Sequence, residues 1–88
     1  MSKFSEIQQR IINQEYYLSN HAETERIEDN VEIEDIENAI LKGKLIEKQV
    51  DAKSSKYLIQ GATLDNRVIT VVCTMLNKEL RIITVFEE

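Results

Sequence analysis

The sequence predicts an α+β fold in which N-terminal helices pack on a C-terminal four-stranded antiparallel sheet. Apolar residues recur every three to four positions up to Gly43, and from Leu45 onward they recur at every second position. The helical segments precede the strands and do not alternate with them, which favours an α+β layer over a doubly wound sheet. A chain of 88 residues is long enough for one domain with a single core, so residues 1–88 are expected to fold as one unit.

Three helices are predicted in the first half, over residues 3–14, 21–28 and 32–42. The first and third carry an apolar stripe at helical spacing, as Ile36 and Ile40 illustrate. The second begins at the Ser19-Asn20 pair, where Asn20 and Glu23 have the spacing of a capping box. Gly43 follows the third helix and is predicted to end it, because glycine can adopt a positive φ.

Four strands are predicted in the second half, over residues 45–50, 56–61, 67–76 and 80–86. All are rich in β-branched residues, and their short connections make neighbouring strands antiparallel. The segment 67–76 is apolar at odd and even positions alike, which predicts a central strand buried on both faces. A short additional strand over residues 16–19 could extend the sheet. Turn-forming residues mark the connections at 51–55, 65–66 and 77–78.

The composition excludes several classes of protein. The chain has no proline, two glycines and no long apolar run, so it indicates neither a flexible linker nor a membrane span or signal peptide. Cys73 is the one cysteine and His21 the one histidine, which excludes a disulfide framework and a Cys/His zinc site within one chain. Cys73 lies in an apolar strand pattern and is predicted to be a small buried residue. These features indicate a cytoplasmic protein without a cofactor or membrane association.

The net charge of −5 is unevenly distributed. Residues 1–43 contain ten acidic and four basic side chains, a balance of −6, and residues 44–88 contain six acidic and seven basic ones, a balance of +1. Nucleic-acid binding depends largely on Lys and Arg, so any RNA contact is expected in the sheet half. A basic protein partner is favoured over a polyanion.

Several stretches together carry a family resemblance: 17–22, 31–36, 39–47, 57–61, Arg67 and 83–87. Across residues 4–86 the chain resembles a bacterial and archaeal family catalogued as domain of unknown function 4258. Members of that family look like small toxins of the RelE and MqsR type, which place helices against a curved antiparallel sheet and cut messenger RNA. The resemblance therefore implies a toxin-like ribonuclease that an antitoxin partner holds silent.

The resemblance also implies which residues would act. His21 and Arg67 match the family pattern, His21 as the proton-transfer group and Arg67 as the phosphate contact, with Arg26 as an auxiliary cation. Thr70 and Phe86 stand where the family usually has a histidine and a tyrosine. The family pattern also has arginines that this chain lacks, and cations from elsewhere in the fold could replace them; the candidates are Lys53, Lys56 and Arg81.

Two further positions depart from the family pattern in charge. Glu25 and Asp29 occupy positions where arginines are expected, four and eight residues after His21. Carboxylates there would repel phosphates, so the site is predicted to be degenerate. The stripe is also open to other interpretations: an imidazole oriented by Glu25, a divalent-cation site, or a hydrated helix face.

Each of these residues could instead have a purely structural role. His21 could begin a helix and pack its ring beneath the sheet, and Arg67 could pair with Asp65 or Glu79 at the edge of the sheet. The segment 23–37 contains eight acidic residues and one arginine. It predicts either a hydrated surface or the docking face of a non-catalytic protein-interaction module.

Overall fold

The structure, a computed structural model, describes residues 2–50 and 54–88. Its elements are α1 (Lys3–Ile12), β1 (Tyr16–Leu18), α2 (Asn20–Glu28), α3 (Ile33–Lys42), β2 (Lys44–Val50), β3 (Ser55–Ala62), β4 (Val68–Leu76) and β5 (Glu79–Glu87). The α+β order and the four main strands are as predicted, with bounds that differ by one or two residues. Most of the turn predicted at 51–55, namely residues 51–53, lies outside the described residues.

The sheet has five strands in the order β1-β5-β4-β3-β2, so the prediction of a purely antiparallel four-stranded sheet is wrong. Strands β2 to β5 form an antiparallel meander, and β1 pairs in parallel with β5. The chain leaves β1 through Ser19, whose N–H donates to the Ile82 carbonyl at 2.8 Å. The optional strand over 16–19 is thus a real edge strand, and it makes the sheet mixed.

One face of the sheet carries the core. The buried apolar side chains of the three inner strands all lie on this face. Most stand opposite one another in the strand register, and Ile69 and Leu80 lie two residues from Val71 and Ile82 on the same strands. Against them pack buried residues of the helices and of the α2–α3 loop: Ile7, Ile11, Ala22, Val31, Ile36, Ala39 and Ile40. β4 is central, as predicted. The expectation that it is buried on both faces is only half right, because Val68 and Leu76 remain exposed.

The predicted helix boundaries are correct at the end of α3 and differ by one residue at the start of α2. Ser19, not Asn20, is the N-cap of α2, and its side chain accepts a hydrogen bond from the Ala22 N–H at 3.1 Å. Gly43 does end α3, but with φ −89°, so a positive φ is not the reason for glycine. A Cβ at Gly43 would lie 2.2 Å from the Ala39 carbonyl oxygen, so the glycine allows a close approach of backbones.

No helix within residues 2–50 and 54–88 is long and apolar enough to span a membrane.

Candidate functional site

His21 lies in the first turn of α2 and faces solvent. Its side chain is 67% exposed, and Nε2 lies 3.3 Å from a carboxylate oxygen of Glu25, one helical turn on. The interpretation that the ring packs beneath the sheet is therefore wrong. What the geometry provides is an accessible imidazole whose orientation is set by a neighbouring carboxylate.

Glu25 is itself held by the sheet. Its other carboxylate oxygen accepts a hydrogen bond from the backbone N–H of Val85 at 3.1 Å. β1 covers β5 only along residues 80–82, so this N–H lies beyond the end of β1 and needs another acceptor. Glu25 supplies it, and the same carboxylate thus fixes α2 on β5 and positions the imidazole of His21.

Arg67 precedes β4 and donates hydrogen bonds from all three of its nitrogens. Nε donates to Asp65 at 3.1 Å, Nη1 to the Asp29 carbonyl at 2.8 Å and to Glu87 at 3.1 Å, and Nη2 to the Asn30 carbonyl at 2.8 Å. The pairing with Asp65 is one of the predicted alternatives. The carboxylates of Asp65 and Glu87 raise the pKa of the guanidinium above its usual value. This side chain ties the end of α2 to the sheet.

A buried carboxylate, Asp35, lies beside Arg67 and was not predicted. Asp35 is 6% exposed and lies 4.0 Å from Nη2 of Arg67. It accepts hydrogen bonds from the N–H of Leu64 at 2.8 Å and from the N–H of Glu32 at 2.9 Å. The second bond belongs to the N-terminal cap of α3. The three-residue spacing of Glu32 and Asp35 is the sequence signal that could have revealed this role of Asp35.

Arg26 is also engaged within the fold. Its Nη1 donates to the Val31 carbonyl at 3.2 Å, and Nη2 forms an ion pair with Glu23. Its Nε is buried and has no hydrogen-bond partner among the residues that the structure describes. The side chain thus covers the C-terminal turn of α2 and is 19% exposed.

The three predicted catalytic residues do not share one cleft. Arg67 binds the carbonyl of Asp29 at the end of α2, and His21 lies eight residues earlier in its first turn. Eight residues of α-helix span about 12 Å. Arg26 projects from the same helix toward Val31 and Glu23. The sequence identified the charged residues of this region but not their separation.

Four further sequence candidates among the described residues lie on the face of the sheet opposite the helices. Thr70 and Phe86 are cross-strand neighbours there, and the Thr70 hydroxyl donates to Glu88. Lys56 and Arg81 flank a threonine of β4 on the same face. Lys53 lies outside the described residues.

The acidic run from 23 to 37 is only partly a surface. Four of its acidic residues are exposed and are named the acidic face: Glu28, Asp29, Glu32 and Glu34. Ile27 directly precedes Glu28 in the sequence and is 59% exposed. Within the described residues no group of three or more His, Cys, Asp or Glu side chains is arranged to hold a metal ion. The cation interpretation of the His21 stripe therefore gains no support.

Cys73 is fully buried, as predicted, and burial raises the pKa of its thiol to about 12. A thiol with this pKa stays protonated at neutral pH, so it is a core residue and not a nucleophile.

Residues 18–87, most of the chain, match the model of a family described as Domain of unknown function (DUF4258). Comparison with curated proteins and with solved structures gave no match.

Proposed function

The chain belongs to the DUF4258 family, and on that premise we propose that it is a toxin-like protein of the RelE and MqsR type that acts by binding a basic protein instead of cutting RNA. The candidate active site is degenerate in this proposal, and the acidic face is the docking surface. An antitoxin, or another protein with a basic surface, is the partner.

The observation that supports the proposal is the engagement of Arg67. A phosphate-binding guanidinium must offer free N–H groups to an incoming anion. Here Nε and both Nη atoms donate to internal acceptors, two of which are carboxylates. An RNA phosphate would have to displace carboxylates from a cation that also holds α2 in place.

The charge of the neighbouring surface supports the same conclusion. Exposed carboxylates would repel phosphates, and the exposed side chain of Ile27 offers an apolar contact for a protein. A partner helix with lysines or arginines beside an apolar residue would complement the acidic face.

A ribonuclease is the second candidate, and one observation favours it. His21 is accessible, and its Nε2 lies 3.3 Å from Glu25, an arrangement that suits proton transfer. In this alternative the phosphate contact comes from a cation other than Arg67.

RNA cleavage by the purified chain separates the two candidates. The assay compares the wild type with His21→Ala on a labelled single-stranded RNA. Our proposal expects no cleavage by either protein. Cleavage by the wild type that His21→Ala abolishes would overturn it in favour of the ribonuclease.

Binding is tested separately with a basic helical probe, a peptide that carries leucines at a spacing of three to four residues along one helix face and lysines at the remaining positions. Reversing two charges of the acidic face, in the double variant Glu28→Lys and Glu34→Lys, should weaken binding about tenfold or more, because attraction becomes repulsion at two positions. The double variant Glu15→Lys and Glu79→Lys is the matched control, since it changes the net charge equally and both residues are exposed but lie outside the acidic face. Equal loss in both variants would assign the effect to net charge and contradict the proposed docking surface.

A further inference from the structure

The outer edge of the sheet is formed by β2, which is exposed along its whole length. Every residue from Lys44 to Val50 is exposed, and Val50 retains 70% of its accessible surface. Among the described strands β3 alone pairs with β2, so the opposite edge of β2 presents N–H and C=O groups with no strand beside them. Such an edge is a template onto which another extended chain can add.

The charge around this edge is opposite to that of the rest of the chain. Residues 42–60 contain five lysines against Glu47 and Asp51, a balance of +3 in a chain of net charge −5. The described lysines on or beside β2 are Lys42, Lys44, Lys48 and Lys56. None of these four forms an ion pair with another described residue. Glu47 accepts a hydrogen bond from the Gln49 amide at 2.7 Å, so the strand's own carboxylate is already engaged.

Apolar contacts and a cavity accompany the lysines. Leu45 and Lys48 share the helix-side face of β2, and Nζ of Lys48 lies 5.7 Å from the centroid of the Tyr57 ring. At the start of β2, Lys42 and Lys44 line an open cavity of about 310 Å³. An extended segment that alternates carboxylates with apolar residues can place its carboxylates on the helix-side face beside Lys48, or on the opposite face beside Lys44.

We propose that the outer edge of β2 binds an extended acidic segment of a partner protein, which joins the sheet as a sixth strand. Backbone hydrogen bonds supply the affinity, and the lysines on and beside β2 select for carboxylates. This edge and the acidic face differ in position and in the charge of the partner they bind, so either can fail in a test without the other.

A second copy of β2 fits the edge poorly. In antiparallel self-pairing, a register centred on Glu47 places two carboxylates opposite each other, and one centred on Lys48 does the same with two ammonium groups. A register centred on Ile46 sets Lys44 against Lys48. The bulge at Ile46 further disfavours regular self-pairing, since bulges and lysines protect edge strands from unselective association.

The test uses a fluorescent, N-acetylated seven-residue peptide of alternating glutamate and valine, with the full chain. Fluorescence polarisation should report binding, and amide NMR signals of residues 44–50 should shift and gain protection from exchange. Lys48→Glu should weaken binding about tenfold, because a cross-strand attraction becomes a repulsion. Lys78→Glu, an exposed lysine in the β4–β5 turn, is the matched control and should leave the affinity unchanged.

Two further probes separate strand addition from simple attraction of charge. The first probe is the same peptide N-methylated at alternate residues, which keeps its carboxylates but cannot form the ladder of hydrogen bonds. The second probe is a peptide of alternating lysine and valine, which carries the opposite charge. The affinity of the N-methylated peptide should fall to that of the lysine peptide. Equal binding of the N-methylated peptide would overturn the proposal. The proposal would also be overturned if the chain bound single-stranded oligouridylate and Lys48→Glu weakened that binding as much as it weakens peptide binding. Self-association of the chain, with NMR shifts at residues of β2, would overturn it as well.

Discussion

Replacing Asp35 with alanine tests whether the buried carboxylate beside Arg67 organises this end of the fold. Asp35→Ala removes the acceptor of two hydrogen bonds, from the N–H of Leu64 at 2.8 Å and the N–H of Glu32 at 2.9 Å. A hydrogen bond to a charged group contributes about 1.5–3 kcal/mol, so the lower ends of the two contributions give a loss of about 3 kcal/mol. The contact with Arg67 at 4.0 Å is too long to add much to this figure.

Chemical and thermal unfolding followed by circular dichroism measure the loss. For a chain of this size, about 3 kcal/mol corresponds to a fall in Tm of about 12–24 °C. Glu34→Ala, an exposed carboxylate in the first turn of the same helix, should change stability by less than about 0.5 kcal/mol. Asp35→Asn keeps one carbonyl oxygen and should fall between the two. A loss from Asp35→Ala no larger than that from Glu34→Ala would refute the reasoning.

Two other perturbations test the packing of the sheet against the helices. Gly61→Ala places a Cβ 2.1 Å from the Ala39 carbonyl oxygen. Because the group it meets is backbone, the substitution should lower the free energy of unfolding by about 3 kcal/mol, the upper end for overpacking. Urea unfolding of this variant beside the neighbouring Gln60→Ala checks the loss, and equal midpoints would contradict it. Burial, together with the hydrogen bond that the Tyr16 hydroxyl donates to Glu37 at 2.6 Å, raises the pKa of Tyr16 above its usual value of about 10. The corresponding stability is fully present below about pH 10 and is lost as the pH rises through the raised pKa. Tyr16→Phe should therefore flatten the alkaline part of a plot of unfolding free energy against pH. An unchanged plot would contradict the assignment of this pH dependence to Tyr16.

Most of the fold follows from periodic patterns, and the exception is instructive. The third helix and the strands of the meander are long enough for their apolar spacing to identify them. Three residues, Tyr16 to Leu18, are too few to reveal a period. Their partner strand lies far along the chain, as the hydrogen bond from the Ser19 hydroxyl to the carbonyl of Ile83 shows. Local spacing contains no signal for a parallel pairing over that distance.

The candidate site was less predictable because its main acceptors are backbone atoms. The sequence identified Arg67 as a lone cation. Two of its hydrogen-bond acceptors are the backbone carbonyls of Asp29 and Asn30, and no pattern of side chains indicates such acceptors. Glu25 likewise acts through a backbone N–H of Val85. Charge predicted which residues cluster near α2. The path of the chain decided which of them were already engaged.

The position of β5 in the sheet has a consequence for how the chain folds. β5 is the last described strand, yet it lies between β1 and β4, and Glu25 of α2 also binds it. The meander of β2 to β5 can form from neighbours in sequence, whereas β1 and α2 can dock only after β5 is in place. Closing so long a loop is slow relative to local pairing. We therefore expect the N-terminal third to dock late, in a single step that completes both the sheet and the setting of His21.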